Sequence, residues 1–270
     1  MSDLVQIDVT DHVADVRLNR PEKMNALNQD MWQAIDAAGR QLHEDRGIRA
    51  IVLSGNGRGF CAGLDMASFQ SMGSRDGGGS SSPIATASAN ERPGNLAQRA
   101  ALVWKRMPVP VIAALHGVAF GAGAQIALGP DIRIASPDLR MSVMEIKWGL
   151  IPDVGITQTL RDVVPLDVAK ELTFTGRIVE AEEARALGLV THLDDDPHGR
   201  AMTLAREIAS KSPDAVRSGK RLLEETWHAD ERTGLELETK LQVELIGSPN
   251  QLEAIKANFE KRAPDFEDAK

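Results

Sequence analysis

Residues 116–131, HGVAFGAGAQIALGPD, hold four glycines and carry no formal charge before the last residue. The preceding VIAALHG predicts a short buried strand that ends at Gly117, and the residues from Gly121 to about Leu128 predict a helix. Small residues at a helix start let a ligand approach the backbone, and the first N–H groups lack partners within the helix. The stretch therefore predicts a strand–turn–helix unit with a candidate ligand site, where Gln125 is an amide among apolar neighbours.

A second stretch upstream has the same design. RAIVLSG predicts a buried strand, and the glycine-rich NGRGFCAGLD follows it, with small residues at 61–63 that match those at 121–123. Two N–H groups from such loops, aimed at one point, would form an oxyanion hole. The alternative is that both loops are tight turns that allow close helix packing, and the sequence leaves both interpretations open.

The rest of the chain alternates strands and helices, which predicts an α/β core. VQIDV and ADVRL predict a strand pair, Asn28 predicts the N-cap of a helix that runs to about Asp45, and residues 95–106 predict another helix. DIRIA predicts a further strand. Because residues 198–270 are helical almost to the end, we expect an α/β core in residues 1–197 and a helical region after it.

Two apolar stripes repeat at helical spacing in the last region: Leu237, Leu241 and Leu245, and Leu252, Ile255 and Phe259. Such stripes pack either on the core or on another subunit. Packing on the core is the default expectation, and a role in oligomerisation is the alternative.

Two further segments have an unusual composition. Residues 71–94 are rich in Gly and Ser with few apolar anchors, which predicts a mobile loop that is either a tolerated insertion or a lid over a ligand site. Residues 107–130 are uncharged and long enough to span a bilayer. Pro108 and Pro110 stand at their start, however, and VIAALHG predicts a strand within them, so we expect no membrane span.

The composition narrows the function classes. Of 270 residues, 31 are basic and 39 acidic, so the net charge of −8 argues against a general binder of nucleic acids or anionic membranes. Cys61 is the only cysteine and is interpreted as a packing residue, and the N-terminus lacks an apolar signal core, so we expect a cytoplasmic location. No HExxH or paired CxxC indicates a metal site, and Ile126 interrupts a dinucleotide-binding GxGxxG.

Taken together, five stretches resemble the crotonase family, also called the enoyl-CoA hydratase/isomerase family. They are NRPEKMNALN, GRGFCAGLD, HGVAFGAGAQIALGPDIRIA, MEIKWGLIPDVGITQTL and FTGRIVEAEEARALGLV, in family order across most of residues 4–190. The resemblance implies an α/β spiral of repeated ββα units with a helical C-terminal region. It also implies an acyl-CoA thioester substrate, no cofactor beyond the coenzyme A of that substrate, and a homotrimer or hexamer.

The resemblance also assigns residues to the site. It places the oxyanion-hole N–H groups on Ala62 and Ala122, where they would stabilise negative charge on the thioester oxygen. The implied substrate-binding residues are Lys23, Met24 and Ala26 along the coenzyme A path, Leu64 and Asp65 near the adenine and pantetheine, and Ala62, Gly63, Gly121 and Ala122 in the two loops.

Gln125 departs from the hydratase pattern of the family. Hydratases of the family carry glutamates at the positions of Gln125 and Glu145, and an amide does not exchange a proton as a carboxylate does near neutral pH. This chain keeps a glutamate only at position 145, and in this it resembles the single-carboxylate enoyl-CoA isomerases of the family. Asp153 occupies a position where dienoyl-CoA isomerases of the family also carry an aspartate. The candidate catalytic residues are therefore Glu145, Asp153 and Gln125.

Three hypotheses for the function follow. The first is an isomerase or related proton-transfer enzyme that uses Glu145, alone or with Asp153. The second is a hydratase with an altered site, and the third is an acyl-CoA-binding protein with little catalytic power. At the residue level, the alternatives are that Glu145 is a solvated carboxylate at a strand edge and that Asp153 is a turn residue after Pro152.

Overall fold

The computed structural model describes residues 4–66 and 93–269, and it begins with a hairpin. β1 (Val5–Thr10) and β2 (Val13–Leu18) are antiparallel. Asp11 and His12 between them have positive φ angles of 49° and 65°. This backbone suits two-residue turns because it matches the twist of the flanking strands. The predicted strand pair is confirmed.

Within the described residues, seven further strands follow the hairpin, and together with it they form two sheets. They are β3 (Ala50–Gly55), β4 (Val111–Leu115), β5 (Val118–Phe120), β6 (Ile132–Ala135), β7 (Arg140–Ser142), β8 (Val179–Glu180) and β9 (His192–Leu193). The main sheet has the order β1-β2-β3-β4-β6-β9, and its strands from β2 onward are parallel. The smaller sheet has the order β5-β7-β8.

Helices cover the main sheet and form the C-terminal part of the described chain. They are α1 (Gln29–Glu44), α2 (Leu96–Lys105), α3 (Ala122–Ala127), α4 (Ile156–Thr159), α5 (Leu166–Thr175), α6 (Ala181–Leu187), α7 (Pro197–Ala209), α8 (Pro213–Thr226), α9 (Glu231–Leu245) and α10 (Pro249–Glu260). The side chain of Asn28 accepts the N–H of Met31 at 2.9 Å and so caps α1, as predicted. Asn95 and Gln98 form a reciprocal capping box on α2.

The main sheet is buried on both faces. Ile51 and Leu53 of β3 belong to the apolar cluster that also contains residues of α1 and α2. Ala50 and Val52 of the same strand belong to the cluster formed with α7. This alternation is expected for a parallel sheet between helical layers, because successive side chains of a strand point to opposite faces. The predicted α/β core is confirmed.

Residues 107–130, uncharged and long enough to span a bilayer, form β4, β5 and α3 instead of one continuous helix. No helix in the described ranges is long and apolar enough to cross a membrane. Gly121 connects β5 to α3 with a φ of +53°, a conformation that favours glycine. The strand–turn–helix prediction for this stretch is confirmed.

The C-terminal helices divide between the core and the surface. α7 packs on the main sheet, so the first helix after the predicted boundary at residue 197 shares the core; the division itself stays a prediction. Leu241 of the first stripe is buried. The second stripe faces outward, with Leu252, Ile255 and Phe259 exposed by 55%, 44% and 85%, so the default expectation of core packing is wrong for it.

The segment 71–94, expected to be mobile, lies outside the described residues except for Pro93 and Gly94. Both alternatives for it, the tolerated insertion and the lid, stay predictions.

Candidate active site

A cavity of about 240 Å³ lies where the two glycine loops meet the segment after β7. Residues 62–64 and 121–122 form one side of it, and Glu145 and Asp153 contribute two carboxylates. A larger groove of about 620 Å³ lies beside α8, but it contains none of the predicted site residues. The smaller cavity therefore brings together both loops and both candidate carboxylates.

The two glycine loops are joined through their backbones. The N–H of Cys61 donates to the carbonyl of Val118, and the N–H of Phe120 donates to the carbonyl of Cys61, both at 3.0 Å. Gly63 has a φ of +89°, and a Cβ there would lie 2.5 Å from the carbonyl oxygen of Phe120. A side chain at Gly63 would therefore separate the loops, so this glycine permits their close approach.

The Ala62 N–H is already paired, which contradicts its prediction as an oxyanion-hole donor. It donates to the carbonyl of Met24 at 2.9 Å. Within the described residues, the N–H of Leu64 has no acceptor, although its neighbours in this loop are paired with Leu27. The N–H of Ala122, the first residue of α3, likewise has no acceptor among the described residues. Leu64 and Ala122 both line the cavity, so each of the two glycine loops contributes one of these N–H groups to its wall.

Glu145 begins a short 3-10 turn, Glu145–Trp148, which two residues separate from the end of β7. Its Oε1 accepts a hydrogen bond of 2.7 Å from Nε2 of Gln125. Its Oε2 is buried and has no partner among the described residues. Burial raises the pKa of this carboxyl, the charge of Asp153 raises it further, and the Gln125 hydrogen bond opposes the shift. This environment suits a group that takes and returns a proton.

Gln125 is fully buried on α3, and both ends of its amide are bonded. Its Oε1 accepts the N–H of Val154 at 2.8 Å, so its Nε2 faces Glu145. The orientation of the amide is therefore fixed by a backbone donor, and Gln125 holds one oxygen of Glu145 in place. The structure brings Gln125 and Glu145 together, as the resemblance implied.

Asp153 is half-buried in the segment between the 3-10 turn and α4, next to Val154. Burial raises the pKa of its carboxyl. Asp153 lines the cavity together with Glu145, and its charge raises the pKa of that residue. The cavity therefore contains a second titratable carboxyl group.

Comparison with known proteins identifies the family to which this arrangement belongs. The family model described as enoyl-CoA hydratase/isomerase matches residues 8–269. The chain belongs to the enoyl-CoA hydratase/isomerase family. The predicted membership is thus confirmed, and with it an enzyme of the hydratase/isomerase type, with the subtype left open.

Relatives within the family cover nearly all of the chain. Enoyl-CoA hydratase domain-containing protein 2, mitochondrial, of Mus musculus is 34% identical over 94% of this chain and 84% of its own length. Methylglutaconyl-CoA hydratase, mitochondrial, of the same species is 32% identical over 92% and 77%. The crystal structure of an enoyl-CoA hydratase from Mycobacterium smegmatis is 30% identical, with a TM-score of 0.84 and coverage of 98% and 99%. The predicted α/β crotonase-type fold is confirmed.

The residues that family resemblance places along the coenzyme A path lie outside the cavity wall. Lys23 is exposed, Met24 has a left-handed backbone, and the Ala26 carbonyl accepts a hydrogen bond of 2.9 Å from Arg20. The carboxylate of Asp65 is buried in an ion pair with the same arginine. Contact of these residues with coenzyme A stays a prediction, but Asp65 has a clear role in joining its loop to Arg20.

Sequence reasoning missed the residue of this enoyl-CoA hydratase/isomerase family member that connects the loop after β2 to the first glycine loop. Asn25 is fully buried, and its Nδ2 lies 3.0 Å from each of three carbonyl oxygens. Those carbonyls belong to Asn56, Gly59 and Phe60, in the loop that leads to the cavity. Its Oδ1 accepts the N–H of Arg20 at 2.8 Å. The only sequence signal was an asparagine in a Pro- and Asn-containing loop, which predicts a turn but not a buried connector.

Proposed function

We propose that this chain is an acyl-CoA isomerase that moves a double bond in an enoyl thioester, with Glu145 as the proton-transferring residue. The observation that carries the proposal is the environment of Glu145. One carboxylate oxygen is held by Gln125, while the other is buried without a partner among the described residues, beside the cavity. One positioned carboxylate is sufficient for a reaction that removes a proton and returns it elsewhere.

The proposed reaction needs a single base and an oxyanion hole. Glu145 removes a proton from C2 of a 3-enoyl thioester, and the electron pair delocalises onto the thioester oxygen as a dienolate. Leu64 and Ala122, whose N–H groups lack acceptors among the described residues, would stabilise that oxygen. Glu145 then returns the proton to C4, giving the 2-enoyl thioester. Atoms and charge balance without another reactant, so we propose no cofactor beyond the coenzyme A of the substrate.

Gln125 supports isomerisation over hydration. Adding water to a 2-enoyl thioester needs one group to take a proton from water and one to deliver a proton to C2. The amide of Gln125 does neither, and both its ends are already bonded. It instead holds Glu145 in one orientation for proton transfer.

Asp153 favours a second candidate function. It is a carboxylate in the same cavity, and burial raises its pKa. A hydratase with an altered site, or an isomerase of more extended dienes, would use Asp153 as the second proton-handling group. An acyl-CoA-binding protein with little catalytic power is the remaining alternative.

Product analysis separates these functions. The protein would be incubated with 2-enoyl-, 3-enoyl- and 3,5-dienoyl-CoA esters of equal chain length, and the products identified by chromatography and mass. We expect 3-enoyl-CoA to give 2-enoyl-CoA faster than any other conversion. A 3-hydroxyacyl-CoA as the dominant product from 2-enoyl-CoA indicates the hydratase. Binding of every ester without turnover indicates the binding protein.

Asp153→Asn should shift the pH dependence of the proposed isomerisation. Glu145 acts as a base, so kcat/KM falls as the pH falls through its pKa. That pKa is raised by burial and by the charge of Asp153. Removing this charge should lower the pKa of Glu145 and move the acidic limb of the profile to lower pH. A pH series of kcat/KM for 3-enoyl-CoA measures the limb.

The control for this experiment is Asp167→Asn, because Asp167 is exposed in the first turn of α5. It should leave the limb in place. If the acidic limb of Asp153→Asn stays at the wild-type pH or moves to higher pH, the assignment of this limb to Glu145 is contradicted. A loss of turnover similar to that of Glu145→Gln would instead indicate that Asp153 handles a proton itself.

We also propose that the chain forms a homotrimer or hexamer and acts in the cytoplasm. The exposed stripe formed by Leu252, Ile255 and Phe259 supports assembly, because burying it between subunits removes apolar surface from water. Light scattering at micromolar concentration is expected to give about three or six times the chain mass of 29.2 kDa. A stable monomer would contradict this prediction.

A further inference from the structure

One guanidinium nitrogen holds two chain segments together beside the cavity. Nη1 of Arg20 donates to the carbonyl of Ala26 at 2.9 Å and to the carboxylate of Asp65. Ala26 lies in the loop after β2, and Asp65 lies at the end of the first glycine loop. Only 17% of the arginine side chain and 11% of the aspartate side chain are exposed. The ion pair is therefore largely buried, and it connects the two loops.

The same two loops are also paired through their backbones. The N–H of Leu27 donates to the carbonyl of Gly63 at 2.8 Å, and the N–H of Asp65 donates to the carbonyl of Leu27 at 3.0 Å. These bonds form an isolated parallel bridge between Leu27 and Leu64, outside both sheets. Both polar groups of Leu27 thus bond to the residues on either side of Leu64, and Leu64 itself donates nothing to the bridge.

This pairing decides the direction of the Leu64 N–H. In a trans peptide the carbonyl and the N–H point in opposite directions. The carbonyl of Gly63 points to Leu27, so the N–H of Leu64 points away from that residue. On this other side lies the second glycine loop, since a Cβ on Gly63 would lie 3.7 Å from the nitrogen of Ala122. The N–H of Leu64 is therefore directed toward the cavity that Leu64 and Ala122 both line.

The ion pair stabilises the bridge at the residue next to this donor. Asp65 takes part in the bridge through its N–H and in the ion pair through its carboxylate. Hydrogen bonds between ionised groups are roughly twice as strong as those between neutral groups. An isolated bridge has no further strand beside it, so a side-chain link of this strength helps to keep it closed. If the bridge opens or tilts, the peptide between Gly63 and Leu64 turns with it.

We propose that Arg20 is a positioning residue for the oxyanion hole: through Asp65, it keeps the N–H of Leu64 directed at the thioester oxygen. The inference rests on the proposed function in taking Leu64 as a donor to that oxygen. It deepens that function by naming a residue that controls the donor. Arg20 and Asp65 are not among the described residues that line the cavity, so their effect on the reaction passes through the loop.

Infrared spectra of bound hexanoyl-CoA with a ¹³C-labelled thioester carbonyl test the inference without turnover. Asp65→Asn keeps the shape of the side chain but removes its charge, which weakens the bond to Arg20. We expect the carbonyl frequency to rise part of the way toward its value in water, because the Leu64 donor is less well aligned. The change of charge alone acts in the opposite direction, since an unpaired Arg20 adds positive charge near the carbonyl oxygen. A rise in frequency therefore reports on the donor.

Turnover provides a second readout of the same variant. Asp65→Asn should lower kcat for 3-enoyl-CoA by about 10- to 10²-fold, because a misplacement of about 1 Å in a site costs up to about 10²-fold. KM should change less than about threefold. The matched control is Asp15→Asn, whose carboxylate is 12% exposed and is paired with His198 of α7, on the face of the main sheet that α7 covers. It should leave both the carbonyl frequency and kcat unchanged.

A double-mutant cycle tests whether Arg20 acts through Asp65. Arg20→Met removes the guanidinium and should raise the carbonyl frequency at least as far as Asp65→Asn does. In the double variant, Asp65→Asn should add no further shift, because its effect is already lost. Additive shifts would overturn the route through Asp65. If thermal melts show that Arg20→Met does not fold, Asp65→Asn decides alone.

The outcomes for Asp65→Asn separate this inference from the proposed function. A lower melting temperature with unchanged frequency and kcat would show a merely structural ion pair and would overturn the inference, leaving the proposed function standing. A raised frequency, in a protein whose wild type gives no 2-enoyl-CoA from 3-enoyl-CoA, would support the positioning by Arg20 and overturn the proposed reaction alone.

Discussion

Glu145→Gln is expected to lower the turnover of 3-enoyl-CoA by about 10²- to 10⁴-fold, the range for losing a positioned acid–base group. The substitution keeps the length and shape of the side chain but removes its ability to take a proton. The oxygen that accepts from Gln125 at 2.7 Å can be replaced by the new amide oxygen, so the local packing should survive. Steady-state kinetics with 3-enoyl-CoA measures the effect, which should fall on kcat far more than on KM.

Proton exchange provides a second readout of the same variant. In ²H₂O, the wild type should exchange the C2 protons of a saturated acyl-CoA, because Glu145 removes and returns them even when no double bond can move. Glu145→Gln should lose this exchange while still binding the ester. Glu238→Gln, an exposed glutamate of α9, is the control and should retain both activities. Exchange that persists in Glu145→Gln would show that another group removes the proton.

Features that depend on nearby residues were predictable from sequence. The cap of α1 by Asn28 needs only the hydrogen bond to Met31, three residues away. The strand β4 and the helix α3 were predictable because the spacing of the apolar residues changes there from that of a strand to that of a helix, with glycines between the two. The closeness of Gln125 and Glu145 came from family resemblance, because twenty residues and two strands separate them.

The oxyanion-hole donor of the first loop was not predictable, because distant pairing decides it. In the stretch CAGLD, successive N–H groups point in different directions. The carbonyl of Met24 takes the one on Ala62 and leaves the one on Leu64 without an acceptor among the described residues. Met24 reaches that position through left-handed backbones at Met24 and Asn25, and Asn25 is fixed by carbonyls more than thirty residues away. No local pattern in the sequence contains this information.

The unpaired N–H of Trp32 is another feature that the apolar periodicity of α1 does not predict. A tryptophan on the apolar face of a helix predicts core packing, and Trp32 does belong to the main apolar cluster. Only the three-dimensional arrangement shows that the same side chain lines the cavity and that its Nε1 has no acceptor in the described part of the chain.

Ala122→Pro is expected to lower kcat by roughly 10²- to 10³-fold, or roughly 2.7–4 kcal/mol, the cost of losing one oxyanion-hole donor. Proline removes the N–H of Ala122 and places its ring Cδ where that hydrogen pointed. The thioester oxygen then loses the donor and its close approach to the backbone, so the decrease in kcat is at least that for one donor. The substitution suits this position because Ala122 is the first residue of α3, where proline is tolerated and no intrahelical bond is lost. Gly121 before it has a ψ of −121°, outside the helical region that proline disfavours in its predecessor.

The experiment separates loss of the donor from loss of the fold. Ala181→Pro introduces the same change at the first residue of α6, which is away from the cavity, and it should leave turnover within about threefold of the wild type. Thermal melts of both variants should show the cooperative transition of the wild type.

Infrared spectra of a bound ¹³C-labelled thioester report on the carbonyl directly, because two donors polarise it and lower its stretching frequency. In Ala122→Pro that frequency should move back toward the value in water. A folded Ala122→Pro variant with unchanged kcat and an unchanged carbonyl frequency would exclude Ala122 as a donor. The negative charge would then have to be stabilised by Leu64 without its proposed partner.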